Sequence, residues 1–247
     1  MKSKSILSIL TISVLLSSCL VNSLHPFYEE EDIYYDEGLL GKWEANDSTV
    51  WTVRQIYLAV GEGEEKKEYY KNGYVIGYTD ENGNPIAFDV YLFKINNQTY
   101  ADFYPSLYPT RDFENIPDLY GMHSIRTHVL AKVELNDDQI ELTWFNGEWL
   151  AELIENNRIK ISHEFISFPD PVSQRFKGQY VLTASTSELK KFIKLYGDDE
   201  NAFLNKEGKL LPDGTYHWNA GDSEYTGKMT FGEDNSWYHI ILKKLDD

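Results

Sequence analysis

The sequence predicts a mainly β fold: an up-and-down barrel or a two-sheet sandwich of about ten or more short strands, with two short helices. Three observations predict it. Apolar and polar residues alternate over short runs, the period of a strand with one buried face. Turn-forming residues cut these runs at hairpin spacing. Hydrophobic residues make up 42% of the 247 and aromatics 15%, enough for a real core, which excludes global disorder.

The strands follow in order. The first begins at Leu39-Leu40-Gly41-Lys42-Trp43. Trp51 to Val60 is rich in β-branched and aromatic residues. Tyr69-Tyr70 and Tyr74 to Tyr78 flank the turn pair Asn72-Gly73. Asp80-Glu81-Asn82-Gly83-Asn84 is a hairpin signal; it lacks the spacing of an EF-hand calcium loop. Ile86, Phe88, Val90 and Leu92 alternate with Ala87, Asp89 and Tyr91. Asn96-Asn97 turns the chain into Thr99 to Tyr104. Pro105 to Asp118 reads as a long loop. Arg126 to Leu135 and Gln139 to Phe145 form a further hairpin about Asn136-Asp137-Asp138. Ile159 to Ile166, Gln179 to Leu182, Thr215 to Asn219, Thr226 to Phe231 and Trp237 to Leu242 complete the series.

The two helices are marked by a different period. Trp149, Leu150, Leu153 and Ile154 share one face over Glu148 to Asn156, with Asn146 or Gly147 as cap. The second opens on the capping box Ser185 and Glu188. Leu189, Phe192, Ile193 and Tyr196 then fall at i, i+3, i+4 and i+7, and Gly197 ends it.

The N-terminus carries an address. Lys2 and Lys4 precede an apolar run, Ile6 to Leu16, shorter than the roughly 20 residues a spanning helix needs. A basic start, a short apolar run and small residues form a signal-peptide pattern, residues 1–18. Leu16-Ser17-Ser18-Cys19 resembles the lipobox of bacterial lipoproteins. That resemblance implies cleavage before Cys19, the chain's only cysteine, and its acylation, with palmitate-type chains in the membrane. Leu20 is not the aspartate that retains some lipoproteins at the inner membrane, so the resemblance favours the outer membrane. Leu20 to Glu37, with the run Glu29-Glu30-Glu31-Asp32, reads as a solvated acidic tether over residues 19–37. Some lipoproteins carry acids directly after the cysteine as a surface-export signal. Here they begin ten residues on, which leaves periplasmic and surface-facing placement both open. Residues 38–247 are expected to form a single β-rich domain, with 198–247 a possible C-terminal extension.

Gly41-Lys42-Trp43 resembles the Gly-x-Trp signature of the lipocalins, in which the tryptophan closes one end of the barrel. Several stretches together are similar to a group of uncharacterised exported lipoproteins: Leu39 to Trp43, Trp51-Thr52-Val53, Leu92-Phe93-Lys94, Asp102 to Pro105, Glu148-Trp149-Leu150, His163-Glu164 and Val181 to Leu189. The resemblance covers about Asp36 to Tyr196 and implies no activity.

Charge and motifs narrow the function. The net charge is −17, and losing residues 1–18, with two lysines and no acid, leaves −19. Such a surface repels phosphate backbones, so no nucleic-acid partner is expected, and membrane attachment must come from the lipid. The histidines are His25, His123, His128, His163, His217 and His239. His123 and His128, five apart, would point to opposite faces of one strand, which is poor metal geometry. No metal or cofactor is expected. Gly-x-Ser-x-Gly, His-Glu-x-x-His and phosphate-loop motifs are absent. Tyr69, Tyr74, Tyr78, Tyr91, Tyr100 and Tyr104 are the candidate lining of a site for a small apolar or sugar ligand; equally, they serve as strand filler. The leading expectation is a lipid-anchored, non-enzymatic envelope protein that binds a small ligand or an envelope partner. The alternatives are a hydrolase of envelope polymers using a carboxylate pair, and a purely structural envelope lipoprotein.

Overall fold

The computed structural model describes residues 20–60, 67–80, 83–106, 125–136, 138–169, 176–203, 209–210, 216–220, 223–227 and 239–245. Its centre is a closed, eight-stranded antiparallel barrel. Seven strands run as a meander: β3 (Gly41–Ala45), β4 (Val50–Val60), β5 (Lys67–Thr79), β6 (Pro85–Ile95), β7 (Gln98–Pro105), β8 (His128–Asn136) and β9 (Gln139–Trp144). The eighth, β15 (His239–Lys244), pairs with both β9 and β3 and closes the circle. The up-and-down, lipocalin-like barrel is therefore the architecture, and the sandwich is not. This closing strand lies within residues 198–247, so β15 belongs to the barrel.

The turns obey the residues in them. Asn96 and Asn97 have φ of 50° and 64°, the left-handed pair that a two-residue hairpin requires. Gly83 has φ +83° and donates to the Asp80 carbonyl, while the Asp80 carboxylate accepts from the Asn84 N–H. Asn72-Gly73 is not a turn. β5 runs straight through it, and the pairing with β4 slips between Gln55–Tyr74 and Tyr57–Tyr70. That is a bulge. A Cβ on Gly73 would lie 2.6 Å from the Tyr91 ring and 2.9 Å from Ile56, so glycine here makes room for neighbours.

Residues 20–37 are not a spacer. β1 (Asn22–Ser23) lies between the start of β8 and β11 (Phe176–Leu182), which pairs with β10 (His163–Pro169). β2 (Ile33–Tyr34) pairs with Leu92 and Phe93 of β6, beyond the point where β5 leaves that strand. The segment thus fills two places where barrel neighbours diverge. Val21 and Phe27 are fully buried. Glu29 and Asp32, from the acidic run, both pair with Lys190. Eight of its eighteen residues are apolar or aromatic, and Val21 and Phe27 are buried in the outer core against residues far along the chain.

Two cores result. One fills the barrel with Trp43, Trp51, Val53, Tyr74, Leu92, Phe103, Leu142, Trp144 and Leu242 among others. The other lies outside it. There α1 (Gly147–Glu155) and α2 (Thr186–Tyr196) pack their apolar faces with Phe27, Phe93, Tyr100, Leu130, Phe145 and Leu182. Asn146 caps α1, accepting from the N–H groups of Glu148 and Trp149. Glu188 closes the capping box of α2, accepting from the Ser185 N–H. A small sheet, β12 (Lys209–Leu210), β13 (Tyr216–Ala220) and β14 (Ser223–Gly227), stands beside these elements in the chain. Among the described residues no helix is long and apolar enough to cross a membrane.

Candidate functional site

The barrel interior is the first place to look for a ligand, and its own side chains fill it. At one end Trp43 is 1% exposed, and its Nε1–H donates to the Leu39 carbonyl at 3.0 Å. The Lys244 ammonium lies 5.4 Å from the Trp43 ring centroid and donates to the Gly38 carbonyl. Residues 33–40 pack across this end. Tyr35 stacks on Tyr74 at 5.2 Å, and the Tyr74 hydroxyl donates to the Asp36 carbonyl and accepts from the Asp36 N–H. Burial pushes the Tyr74 hydroxyl up to about 12. At the other end Trp51 stacks on Tyr78 at 5.0 Å, and Phe103 sits edge-on to Trp144 at 4.9 Å. A cavity between Tyr74, Leu92, Ala101 and Leu142 measures about 30 Å³. Small-molecule pockets hold about 300–1,000 Å³.

The six tyrosines do not line one surface. Tyr74 and Tyr78 face the interior core. Tyr91, Tyr100 and Tyr104 stand on the outer face. Tyr91 packs on Tyr28 at 5.0 Å, Tyr100 on Phe93 at 5.7 Å, and Tyr104 on His128 at 4.4 Å. Tyr69 lies on β5 opposite Leu58, and its side chain is outside the described residues. Cys19 and the residues before it, and His123, are outside them too.

The outer face holds a polar site that the sequence reading did not single out. Asp102 sits on β7 between the inward Ala101 and Phe103 and is fully buried. Its carboxylate accepts from the Phe27 N–H at 2.9 Å and lies 2.7 Å from His128 Nδ1. His128, on β8, is stacked on Tyr104, and the Arg126 guanidinium also lies 4.5 Å from the Tyr104 ring centroid. Burial pushes the Asp102 carboxyl above the usual carboxylate range, and the His128 and Phe27 hydrogen bonds pull partly against this. The Tyr28 hydroxyl, buried beside Asp102, Tyr91 and Asp89, is pushed far above its ordinary value.

A carboxylate on Nδ1 orients an imidazole in the manner of a general base. Among the described residues the hydroxyl set opposite it is that of Ser23. Ser23, opposite His128 across β1 and β8, donates its hydroxyl to the His25 carbonyl. What the pair demonstrably does is hold the N-terminal segment: Asp102 takes the Phe27 N–H, and the Phe27 ring is sealed into the outer core. One signal pointed to it. An aspartate in the middle of Tyr100-Ala101-Asp102-Phe103-Tyr104 needs buried partners.

An open groove of about 720 Å³ lies beside Leu40, Lys42, Gln139, Lys243 and Leu245, outside the closed end. No group of three or more His, Cys, Asp or Glu side chains that could hold a metal occurs among the described residues. His163 donates its Nδ1–H to the Ile161 carbonyl at 2.7 Å.

Fold and site together define a lipocalin-like, eight-stranded barrel with a packed interior and an N-terminal segment built onto its outer wall. No family model, curated protein or solved structure matches the chain.

Proposed function

We propose that the chain is a lipid-anchored, non-enzymatic protein of the cell envelope that meets an envelope partner with its outer surface. The observation that carries the second half is the filled barrel. Buried side chains pack the interior and the cavity between Tyr74, Leu92, Ala101 and Leu142 is about 30 Å³, which supports the outer surface as the place where this domain engages anything sizeable. The first half is supported by Leu16-Ser17-Ser18-Cys19 standing directly before Leu20, which bridges to Asn146. The outer membrane is the favoured site, because Leu20 follows the cysteine. A small ligand is the second reading. The barrel fold is compatible with it, and the half-buried Tyr78 stacked on Trp51 is where such a ligand would enter.

The anchor is tested by Cys19→Ser in cells fed a labelled fatty acid. The parent protein should take up label and sediment with membranes, and the serine variant should do neither. Label retained by the serine variant would defeat the proposal.

A further inference from the structure

Just outside the closed end of the barrel, an acidic chain gathers lysines around a groove. β3, β15 and β9 lie side by side there. Trp43, Leu242 and Ile140 face the interior core. Side chains alternate along a strand, so Lys42, Lys243 and Gln139 face outward. Lys243 stands opposite Glu44 of β3 and opposite Gln139 of β9. Lys42, two residues before Glu44, is therefore the diagonal neighbour of Lys243, about 7–8 Å away and within reach of a long side chain. Both lysines are exposed, and Gln139 is half-buried. All three line the groove of about 720 Å³, a volume typical of small-molecule sites. Nothing lies within 4 Å of the place a Cβ on Gly41 would take, so the groove reaches down to the main chain.

The two outward lysines are uncommitted. Lys244 is occupied, since its ammonium donates to the Gly38 carbonyl and lies over the Trp43 ring. Among the described residues neither Lys42 nor Lys243 forms an ion pair. Glu44 stands beside Lys243 without pairing, and among the described residues Asp138 is the one acid lining the groove. The whole chain has 40 acids to 23 basic residues, so three lysines against one acid reverses its composition.

Like charges this close repel, and a multiply charged anion between them relieves the repulsion. A phosphate monoester carries about −1.5 to −2 charges at pH 7 and three strong acceptor oxygens. That matches two ammonium groups and a side-chain amide, whereas a single carboxylate neutralises only one of the two. The chain's net charge of −17 does not prevent this. Charges more than about 8 Å apart are screened at physiological ionic strength, so a small ester meets the local set. A nucleic acid would also span the acidic surface around it.

We propose that this groove binds a phosphate monoester. Lys42 and Lys243 hold the phosphate oxygens, Gln139 donates its amide N–H, and Leu40 and Leu245 pack against the organic group. The site is separate from the packed barrel interior and needs no acylation of Cys19.

Titration calorimetry of the full chain tests it with two probes. Glucose 1-phosphate offers the phosphate from a soluble ester, and dihexanoyl phosphatidic acid offers it from a lipid headgroup. A one-to-one complex with either supports the site, and the probe that binds more tightly identifies the source. Lys42→Met combined with Lys243→Met keeps the apolar stems and removes both charges, so it should weaken binding at least tenfold. Lys71→Met, exposed on β5 and outside the groove, should change binding less than twofold. Unchanged urea midpoints establish that these surface variants fold as the parent does. Asp246→Asn combined with Asp247→Asn neutralises the acids that follow Leu245 in the sequence, and should bind as tightly as the parent or more tightly. Failure of both probes to bind, or binding that survives the loss of both lysines, would overturn the proposal.

Discussion

Replacing Trp43 with alanine should leave a barely stable protein. The indole is 1% exposed, spans the closed end of the barrel and makes its one hydrogen bond to the Leu39 carbonyl. Losing a buried tryptophan costs about 3–5 kcal/mol in transfer and cavity terms. The Leu39 carbonyl also loses its partner, and the Lys244 ammonium loses the ring beneath it. Domains of this kind have only about 5–15 kcal/mol to lose. Trp43→Phe separates the two contributions. It keeps most of the packing and gives up the hydrogen bond, so it should cost about 1–3 kcal/mol. Urea melts of residues 20–247 followed by far-UV circular dichroism report both, since the readout does not depend on the tryptophan removed. Residues 20–37 must be retained, because β1, β2 and Phe27 are part of the fold. A loss below about 1 kcal/mol for Trp43→Ala at unchanged m-value would refute the reasoning.

Two further outcomes follow from buried polar groups. The folded protein holds the Asp102 carboxyl above its ordinary range, so it takes up that proton at higher pH than the unfolded chain does. The resulting stability is fully present below the ordinary carboxyl range and is lost as pH rises through the folded value. Asp102→Asn keeps the side-chain acceptor and removes the titration. Relative to it, the parent should gain stability between pH 7 and pH 4, and a constant difference in urea melts across that range would contradict this. The Tyr35 hydroxyl is buried with no hydrogen-bond partner among the described residues. An unsatisfied buried group costs about 1–3 kcal/mol. Tyr35→Phe should therefore melt at the same or a higher urea concentration, and a clear loss would mean the hydroxyl has a partner.

Sequence pattern revealed the barrel because its strands alternate and its turns use residues suited to them. Asn96-Asn97 adopts the backbone its residue types favour, and both helices lie where a 3.6-residue period and their caps put them. Asn72-Gly73 misled for a physical reason. Glycine serves a turn and a crowded bulge equally well, and only the packing of Tyr91 and Ile56 tells them apart. The tyrosines show a related limit. Alternation puts Tyr91 on the opposite face from Val90 and Leu92, and Tyr100 and Tyr104 on the opposite face from Ala101 and Phe103. It does not say which of two buried faces is the barrel interior, and here helices cover the outer one. The N-terminal segment was the least legible part. Glu29 and Asp32 looked solvated because Lys190, their partner, is more than 150 residues away in the chain. Asp102 and His128 are 26 residues apart and meet only through the β7–β8 register.

The claim most exposed to test is that the barrel interior is core rather than a chamber. Titration calorimetry and native mass spectrometry of residues 20–247 against a hexadecanoate ligand and a chitin disaccharide address it directly. With about 30 Å³ free between Tyr74, Leu92, Ala101 and Leu142, neither ligand should bind stoichiometrically. Ala101→Trp supplies the control, since it would fill any real chamber from within. A one-to-one complex with the parent protein that Ala101→Trp abolishes, in a variant still folded by circular dichroism, would contradict the account and restore the interior as the binding site.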